Sequence, residues 1–71
     1  MPAFDYGDVV LVRPDARPIF RPGSRAWIVG VFTDRSVDRF DWLGAGPVYT
    51  IEFEDGSCLD VEESSLEPFH S

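Results

Sequence analysis

Residues 49–61 (YTIEFEDGSCLDV) decide the fold class, because they predict a β-hairpin with one apolar face and one charged face. On the first arm Tyr49, Ile51 and Phe53 alternate with polar residues, which is typical of a strand buried on one side. Two aliphatic residues at alternate positions follow on the return arm. The pattern therefore predicts β structure in the second half of the chain.

The turn of this hairpin sets the register of its two arms. A two-residue Asp-Gly turn would put the apolar residues of the two arms on opposite faces of the hairpin. A three-residue loop over residues 54–56 puts them on one face and pairs Ile51 with Leu59. The hydrophobic pattern favours the three-residue loop, with Gly56 at positive φ in a G1 bulge.

The outer face of the predicted hairpin is polar and acidic. It carries Thr50, Glu52, Cys58 and Asp60, with Glu54 and Glu62 at its edges. The whole chain has a net charge of −7, and residues 47–71 hold seven acidic residues and no lysine or arginine. Such a field repels phosphate backbones and attracts basic partners, whereas the alternative is that the acids only keep the protein soluble.

A chain of 71 residues predicts a single domain over residues 1–71, near the lower size limit for a self-sufficient core. The single cysteine, Cys58, has no partner for an internal disulfide. The chain contains no apolar run of signal-peptide or membrane-spanning length. We therefore expect a cytoplasmic protein that does not associate with membranes.

Two further strands are predicted before the hairpin, over residues 7–13 and 25–32. Gly30 predicts a bulge, a bend or a close backbone approach within the second of them. Three prolines between the two strands exclude a helix there and predict an extended loop. We expect Ile19 and Phe20 to point inward from this loop, and its arginines to lie in solvent or pair with nearby acids.

A long connection over residues 33–47 joins the second strand to the hairpin, and a short strand is predicted within it over residues 37–43. Phe40 and Trp42 in this connection either cover an open end of the core or form an exposed aromatic contact site. After the hairpin, residues 62–69 predict a 3₁₀ turn that closes the core.

The order of strand, long loop, strand, second loop, tight hairpin and terminal 3₁₀ turn resembles an SH3-like small barrel. The segments that carry the resemblance are GDVV at residues 7–10, GV at 30–31, YTIEF at 49–53, VEE at 61–63 and LEP at 66–68. The chain resembles bacterial modules of the KOW and Tudor type, the small barrel of nitrile hydratase β-subunits, and small all-β immunity proteins of bacterial polymorphic-toxin systems. This resemblance implies one small barrel of about five strands.

The resemblance has clear departures. KOW modules generally contact RNA through basic loops, whereas the hairpin of this chain is acidic. Tudor modules hold methylated side chains in an aromatic cage, for which Trp27, Phe32, Tyr49 and Trp42 are the available rings. Nitrile hydratase subunits are much longer and require a metal-bearing partner.

The titratable residues do not predict an enzyme. His70 is next to the last residue, where chains are poorly ordered, and it is the only histidine. Cys58 faces Glu52 across the predicted hairpin, an environment that disfavours a nucleophilic thiolate and favours a structural, half-buried cysteine. One histidine and one cysteine do not make a transition-metal site, and no calcium-binding loop is present. We predict no catalytic residue, no metal and no cofactor.

The leading hypothesis is a small, non-enzymatic protein-interaction module, present as a monomer or weak dimer. Three acidic side chains would steer a basic protein partner, and three aromatic ones would anchor it where they are exposed. These residues are Glu52, Glu54, Asp60, Tyr49, Phe40 and Trp42. An immunity protein that neutralises a basic toxin would be one instance. The alternatives are an accessory or regulatory barrel of a larger enzyme assembly and weak nucleic-acid binding through the arginine–proline loop, residues 13–25.

Overall fold

The computed structural model describes residues 3–33 and 46–69, and these residues form five strands in one antiparallel sheet. The strands are β1 (Val9–Val12), β2 (Arg25–Phe32), β3 (Val48–Phe53), β4 (Cys58–Glu62) and β5 (Leu66–Pro68). Their order across the sheet is β4-β3-β2-β1-β5. In the described residues the only helical segments are 3₁₀ turns at Pro18–Phe20 and Glu63–Ser65. The predicted all-β class is confirmed.

The edges of the sheet are β4 and β5, and within the described part of the chain these two strands do not pair with each other. The sheet is therefore not closed into a barrel there. The predicted 3₁₀ turn forms at Glu63–Ser65, but the chain then continues as β5, in which Leu66 pairs with Val12 and Glu67 with Leu11. The strand predicted over residues 37–43 lies outside the described residues.

The β3–β4 hairpin has the predicted register. Ile51 lies opposite Leu59, so the apolar residues of both strands share one face. The N–H of Phe53 donates to the carbonyl of Ser57 at 2.8 Å, and the N–H of Gly56 donates to the carbonyl of Phe53 at 2.9 Å. Gly56 has a φ of 87°, as the three-residue loop requires.

Strand β2 contains the irregularity that Gly30 predicted. Its pairing with β3 shifts register between Ile28 and Gly30, which leaves Val29 as the extra, exposed residue of a bulge. A Cβ atom on Gly30 would lie only 3.1 Å from the Cβ of Thr50. The glycine is therefore required by the close approach of β3.

One face of the sheet, the inner face, forms the hydrophobic core. Its buried residues are Val10, Val12, Ala26, Ile28, Tyr49, Ile51, Phe53, Val61 and Leu66, joined by Phe4 and Phe20 from outside the sheet. Val48, next to Tyr49 at the start of β3, is also buried in the core cluster. Phe20 is 1% exposed, whereas its neighbour Ile19 is 63% exposed. The prediction that Ile19 points inward is wrong, because the 3₁₀ turn directs adjacent side chains to different sides and only Phe20 reaches the core.

Candidate protein-interaction surface

The opposite side of the sheet, the outer face, carries a continuous row of side chains across its strands. The pairing sets Cys58 beside Glu52, Glu52 beside Trp27, and Trp27 beside Val9. The N–H of Phe69 donates to the carbonyl of Val9 at 3.3 Å, which places Phe69 at the far end of this row. Trp27, Val9 and Phe69 are half-buried, so the row is apolar at one end and acidic at the other.

A second row runs beside the first on the same face. Arg25 of β2 pairs with Leu11 of β1, and Leu11 pairs with Glu67 of β5. Leu11 and Glu67 are half-buried, and Arg25 is exposed. The outer face thus brings together a guanidinium, two aromatic rings and two aliphatic side chains from separate strands.

Arg25 lies within cation–π distance of the two rings of the first row. Its Cζ atom is 5.4 Å from the ring centroid of Trp27 and 5.5 Å from that of Phe69. The guanidinium also forms an ion pair with the carboxylate of Glu54. Because the side chains of Arg25 and Glu54 are 44% and 61% exposed, this pair contributes about 0–1 kcal/mol.

Arg21 makes a comparable set of contacts at the turn of the hairpin. Its Cζ atom lies 4.1 Å from the ring centroid of Phe53. Its guanidinium donates to the hydroxyl of Ser57 at 2.8 Å and to the carboxylate of Asp55 at 3.3 Å. Hydrogen bonds from the Ser57 hydroxyl and backbone N–H, together with Arg21, lower the pKa of Asp55 from 3.8 to about 2.

A surface groove of about 320 Å³ separates these two arginines. It is lined by Arg21, Ser24, Arg25, Phe53, Glu54 and Asp55. Each arginine of the groove is paired with a carboxylate of the same groove, so its charges balance. The groove therefore offers no excess positive charge to an anionic ligand.

The three acidic side chains predicted as partner contacts lie in different surroundings. Glu52 is half-buried between Cys58 and Trp27, and among the described residues it forms no ion pair. Asp60 is half-buried one row away and accepts a hydrogen bond of 2.6 Å from the hydroxyl of Thr50. Glu54, the third, is held by its ion pair to the start of β2.

Tyr49 does not offer the predicted aromatic contact, because its side chain is 0% exposed. It points to the inner face, where its ring packs edge-to-face on Phe4 at a centroid distance of 5.4 Å. The alternation that placed Tyr49 with Ile51 and Phe53 already assigned it to the core side of the hairpin. Phe40 and Trp42, the other two predicted anchors, lie outside the described residues.

The buried hydroxyl of Tyr49 belongs to a hydrogen-bonded cluster near the N-terminus. It donates to the carboxylate of Glu63 at 2.6 Å and accepts the N–H of Phe4 at 3.3 Å. The same carboxylate accepts the N–H of Ala3 at 2.8 Å. Burial and the bond to Glu63 raise the pKa of Tyr49, and the hydrogen bond from Tyr49 lowers the pKa of Glu63. The cluster ties residues 3–4 to the sheet.

Sequence reasoning missed Trp27 and Phe69 as surface residues of the candidate site. Apolar residues occupy both sides of the strand over residues 25–32, so the sequence does not tell which side faces the core. Phe69, which follows β5, is half-buried on the outer face. Cys58 was expected to be half-buried, but it is an exposed free thiol.

Among residues 3–33 and 46–69, no three histidine, cysteine or acidic side chains are grouped so as to hold a metal ion. In the same residues no helix has the length and apolar character needed to cross a membrane. Comparison of the chain with protein-family models, with curated proteins and with solved structures gives no match in any of the three.

Proposed function

We propose that this protein is a small, non-enzymatic interaction module that binds a basic protein partner through the outer face of the β3–β4 hairpin. The observation that carries the proposal is the position of Glu52, a half-buried residue that pairs with the half-buried Trp27 on the outer face. A carboxylate beside an aromatic ring provides charge for steering and apolar area for affinity in one place. Asp60 adds a second carboxylate to this surface.

The distribution of ion pairs supports a basic protein over a nucleic acid. The arginines of the loop over residues 13–25 are largely engaged within the chain. Arg13 pairs with Asp15, Arg21 with Asp55 and Arg25 with Glu54. Because these pairs neutralise the cations closest to the hairpin, the net charge of −7 dominates the long-range field. Phosphate backbones are repelled by such a field, and cationic surfaces are attracted by it.

The proposal for the fold is an SH3-like barrel. The strand order β4-β3-β2-β1-β5 supports it, as do the long loop between β1 and β2 and the 3₁₀ turn between β4 and β5. Within this proposal the protein acts in the cytoplasm. The most specific version is an immunity protein whose acidic face covers the cationic groove of a toxin, such as a nuclease.

The test compares partner capture by two charge variants. Glu52→Lys reverses the charge beside Trp27, and Asp15→Lys makes the same change in net charge at an exposed residue of the loop over residues 13–25. Each immobilised variant is incubated with lysate of the native host at low and moderate salt, and bound proteins are identified by mass spectrometry. We expect the wild type and Asp15→Lys to retain one basic partner, and Glu52→Lys to lose it at least tenfold.

Three other results of the capture experiment would contradict the proposal. Equal capture by Glu52→Lys and the wild type, with unchanged circular dichroism, would place the contact elsewhere and overturn the proposal. Equal loss in both variants would mean that net charge alone, and not the hairpin face, holds the partner. Recovery of subunits of a larger enzyme, with no basic partner, would favour an accessory barrel instead.

A further inference from the structure

We infer that Trp27 and Phe69 are the walls of a cation slot on the outer face, which Arg25 fills in the free protein and an arginine of a basic partner fills in the complex. The slot is defined by Trp27, Phe69, Val9, Leu11 and Glu54. The inference that a partner's arginine enters the slot rests on the proposed function. The inference that the slot binds a guanidinium group does not depend on the proposed function.

The spacing of the walls fits a guanidinium. Trp27 and Phe69 flank Val9 in one row, so their backbones are two strand spacings apart, about 10 Å. The Cζ atom of Arg25 is 5.4 Å from one ring centroid and 5.5 Å from the other, each close to half of that spacing. The guanidinium therefore lies within cation–π distance of both rings, on the face that also carries Val9 and Leu11 of β1.

The chemistry of the slot selects a cation. Aromatic faces are negative at their centres and attract guanidinium and ammonium groups within about 6 Å. Glu54 supplies a carboxylate to the same group, and Glu67 lies next to Leu11 in the neighbouring row. Arginine fits better than lysine, because its planar guanidinium stacks on rings while it donates to a carboxylate. The net charge of −7 adds attraction for any cationic partner.

The contacts of Arg25 are weak enough to be exchanged. Its side chain is 44% exposed and that of Glu54 is 61% exposed, so water and salt screen the ion pair. The adjoining groove, which Arg25 and Asp55 both line, offers the displaced side chain a second carboxylate. An incoming arginine on a protein surface would exclude water from the same contacts and strengthen them.

The test uses a small probe, N-acetyl-arginine N-methylamide, and the variant Arg25→Ala, which empties the slot. Arg13→Ala is the matched control, because Arg13 is 45% exposed and pairs with Asp15 outside the slot. The readout is the indole N–H resonance of Trp27 in a nuclear magnetic resonance titration, assigned with Trp27→Phe. We expect Arg25→Ala to bind the probe saturably, with an apparent Kd at least tenfold lower than that of Arg13→Ala.

Two further arms define the site. Adding Glu54→Gln to Arg25→Ala should weaken the probe at least threefold, and the matching lysine probe should bind more weakly than the arginine probe. Equal, non-saturating shifts in Arg25→Ala and Arg13→Ala would overturn the slot. If Arg25→Ala does not fold, the wild type is titrated with the arginine probe instead, and the Nε–H resonance of Arg25 is the readout. A shift of this resonance towards that of free arginine supports exchange, and an unchanged resonance at saturating probe overturns it.

Different experimental results would contradict the slot and the proposed function. If Glu52→Lys loses the partner but Arg25→Ala does not bind the probe, the acidic face stands and the slot is wrong. If the probe binds to Arg25→Ala but Glu52→Lys still captures the partner, the slot stands and the proposed docking face is wrong.

Discussion

Gly56 is the single residue on which the hairpin register depends most directly. Its φ of 87° lies in the left-handed region, where side chains with a Cβ atom are strained. A Cβ atom placed on Gly56 would contact nothing within 4 Å. The cost of a larger residue there is therefore backbone strain alone, without a steric clash.

We expect Gly56→Val to lower the free energy of unfolding by about 1–3 kcal/mol, because a β-branched residue is forced to positive φ. Urea denaturation followed by circular dichroism measures the loss. Gly56→Asn is the control, since asparagine tolerates the left-handed region and should lose less stability. A valine variant as stable as the wild type would contradict the bulge at this position.

We expect Asp55 to make the free energy of unfolding depend on pH in the acid range. Its folded-state pKa is about 2, below the ordinary value of 3.8, because Ser57 and Arg21 donate hydrogen bonds to its carboxylate. A carboxyl whose pKa is lowered by folding adds stability that is complete above the unfolded-state pKa and is lost as the pH falls through the folded-state pKa. We expect the stability difference between the wild type and Asp55→Asn to be constant above pH 5 and to shrink between pH 4 and pH 2. A difference that stays constant down to pH 2 would contradict this.

At the scale of elements, the loop between β1 and β2 is joined to the β3–β4 hairpin by side chains. Arg21 covers the buried ring of Phe53 and bonds to Ser57 and Asp55, more than thirty residues later in the chain. The backbone contributes as well, since the N–H of Gly23 donates to the carbonyl of Val12 at 2.8 Å. At the start of the loop, the N–H of Arg13 donates to the carbonyl of Ser65 at 2.9 Å, so both ends of the loop are bonded to the rest of the chain.

We expect Arg21→Ala to lower the free energy of unfolding by about 1–2 kcal/mol, through loss of the ring contact and the hydrogen bonds to the turn. Arg21 has a φ of 63°, and alanine meets the same backbone strain, so the strain cancels in the comparison. Arg13→Ala, which breaks a pair within one loop, should cost less than about 0.5 kcal/mol. Equal losses in the two variants, measured by urea denaturation, would show that Arg21 does not join the two elements.

At the scale of the whole molecule, negative charges outnumber positive charges. The net charge is −7, and three exposed ion pairs in the described part of the chain offset only local repulsion. Repulsion among like charges destabilises a compact state, and salt at 0.1 M largely screens repulsion between charges more than about 10 Å apart.

We therefore expect the midpoint of urea denaturation to rise when sodium chloride is increased from 20 to 300 mM. Glu52→Lys, with a net charge of −5, should show a smaller rise, since less repulsion remains to be screened. A midpoint that falls with salt would mean that the ion pairs of Arg13, Arg21 and Arg25 outweigh the repulsion.

The sequence by itself determined the local features of this protein. The alternation in residues 49–61 predicted the hairpin and its register, and Gly56 predicted its turn. Gly30 predicted a bulge, a bend or a close backbone approach in β2, where the structure has a register shift. These features were predictable because side-chain period and backbone φ are properties of adjacent residues. The burial of Tyr49 followed from the same alternation, although the anchoring role that was assigned to it did not.

Only the tertiary structure decided which residues meet. Strand β5 forms because Leu66–Pro68 pairs with the edge of β1. Three residues that end in proline carry no local pattern that indicates a strand. Phe20 rather than Ile19 enters the core because the 3₁₀ turn directs adjacent side chains to different sides, and the turn forms where the loop packs on the sheet. Arg25 contacts both Trp27 and Phe69 because β2 and the segment that follows β5 meet on one face of the sheet. Contacts between residues more than forty positions apart depend on how the strands are ordered, and strand order is a property of the whole chain.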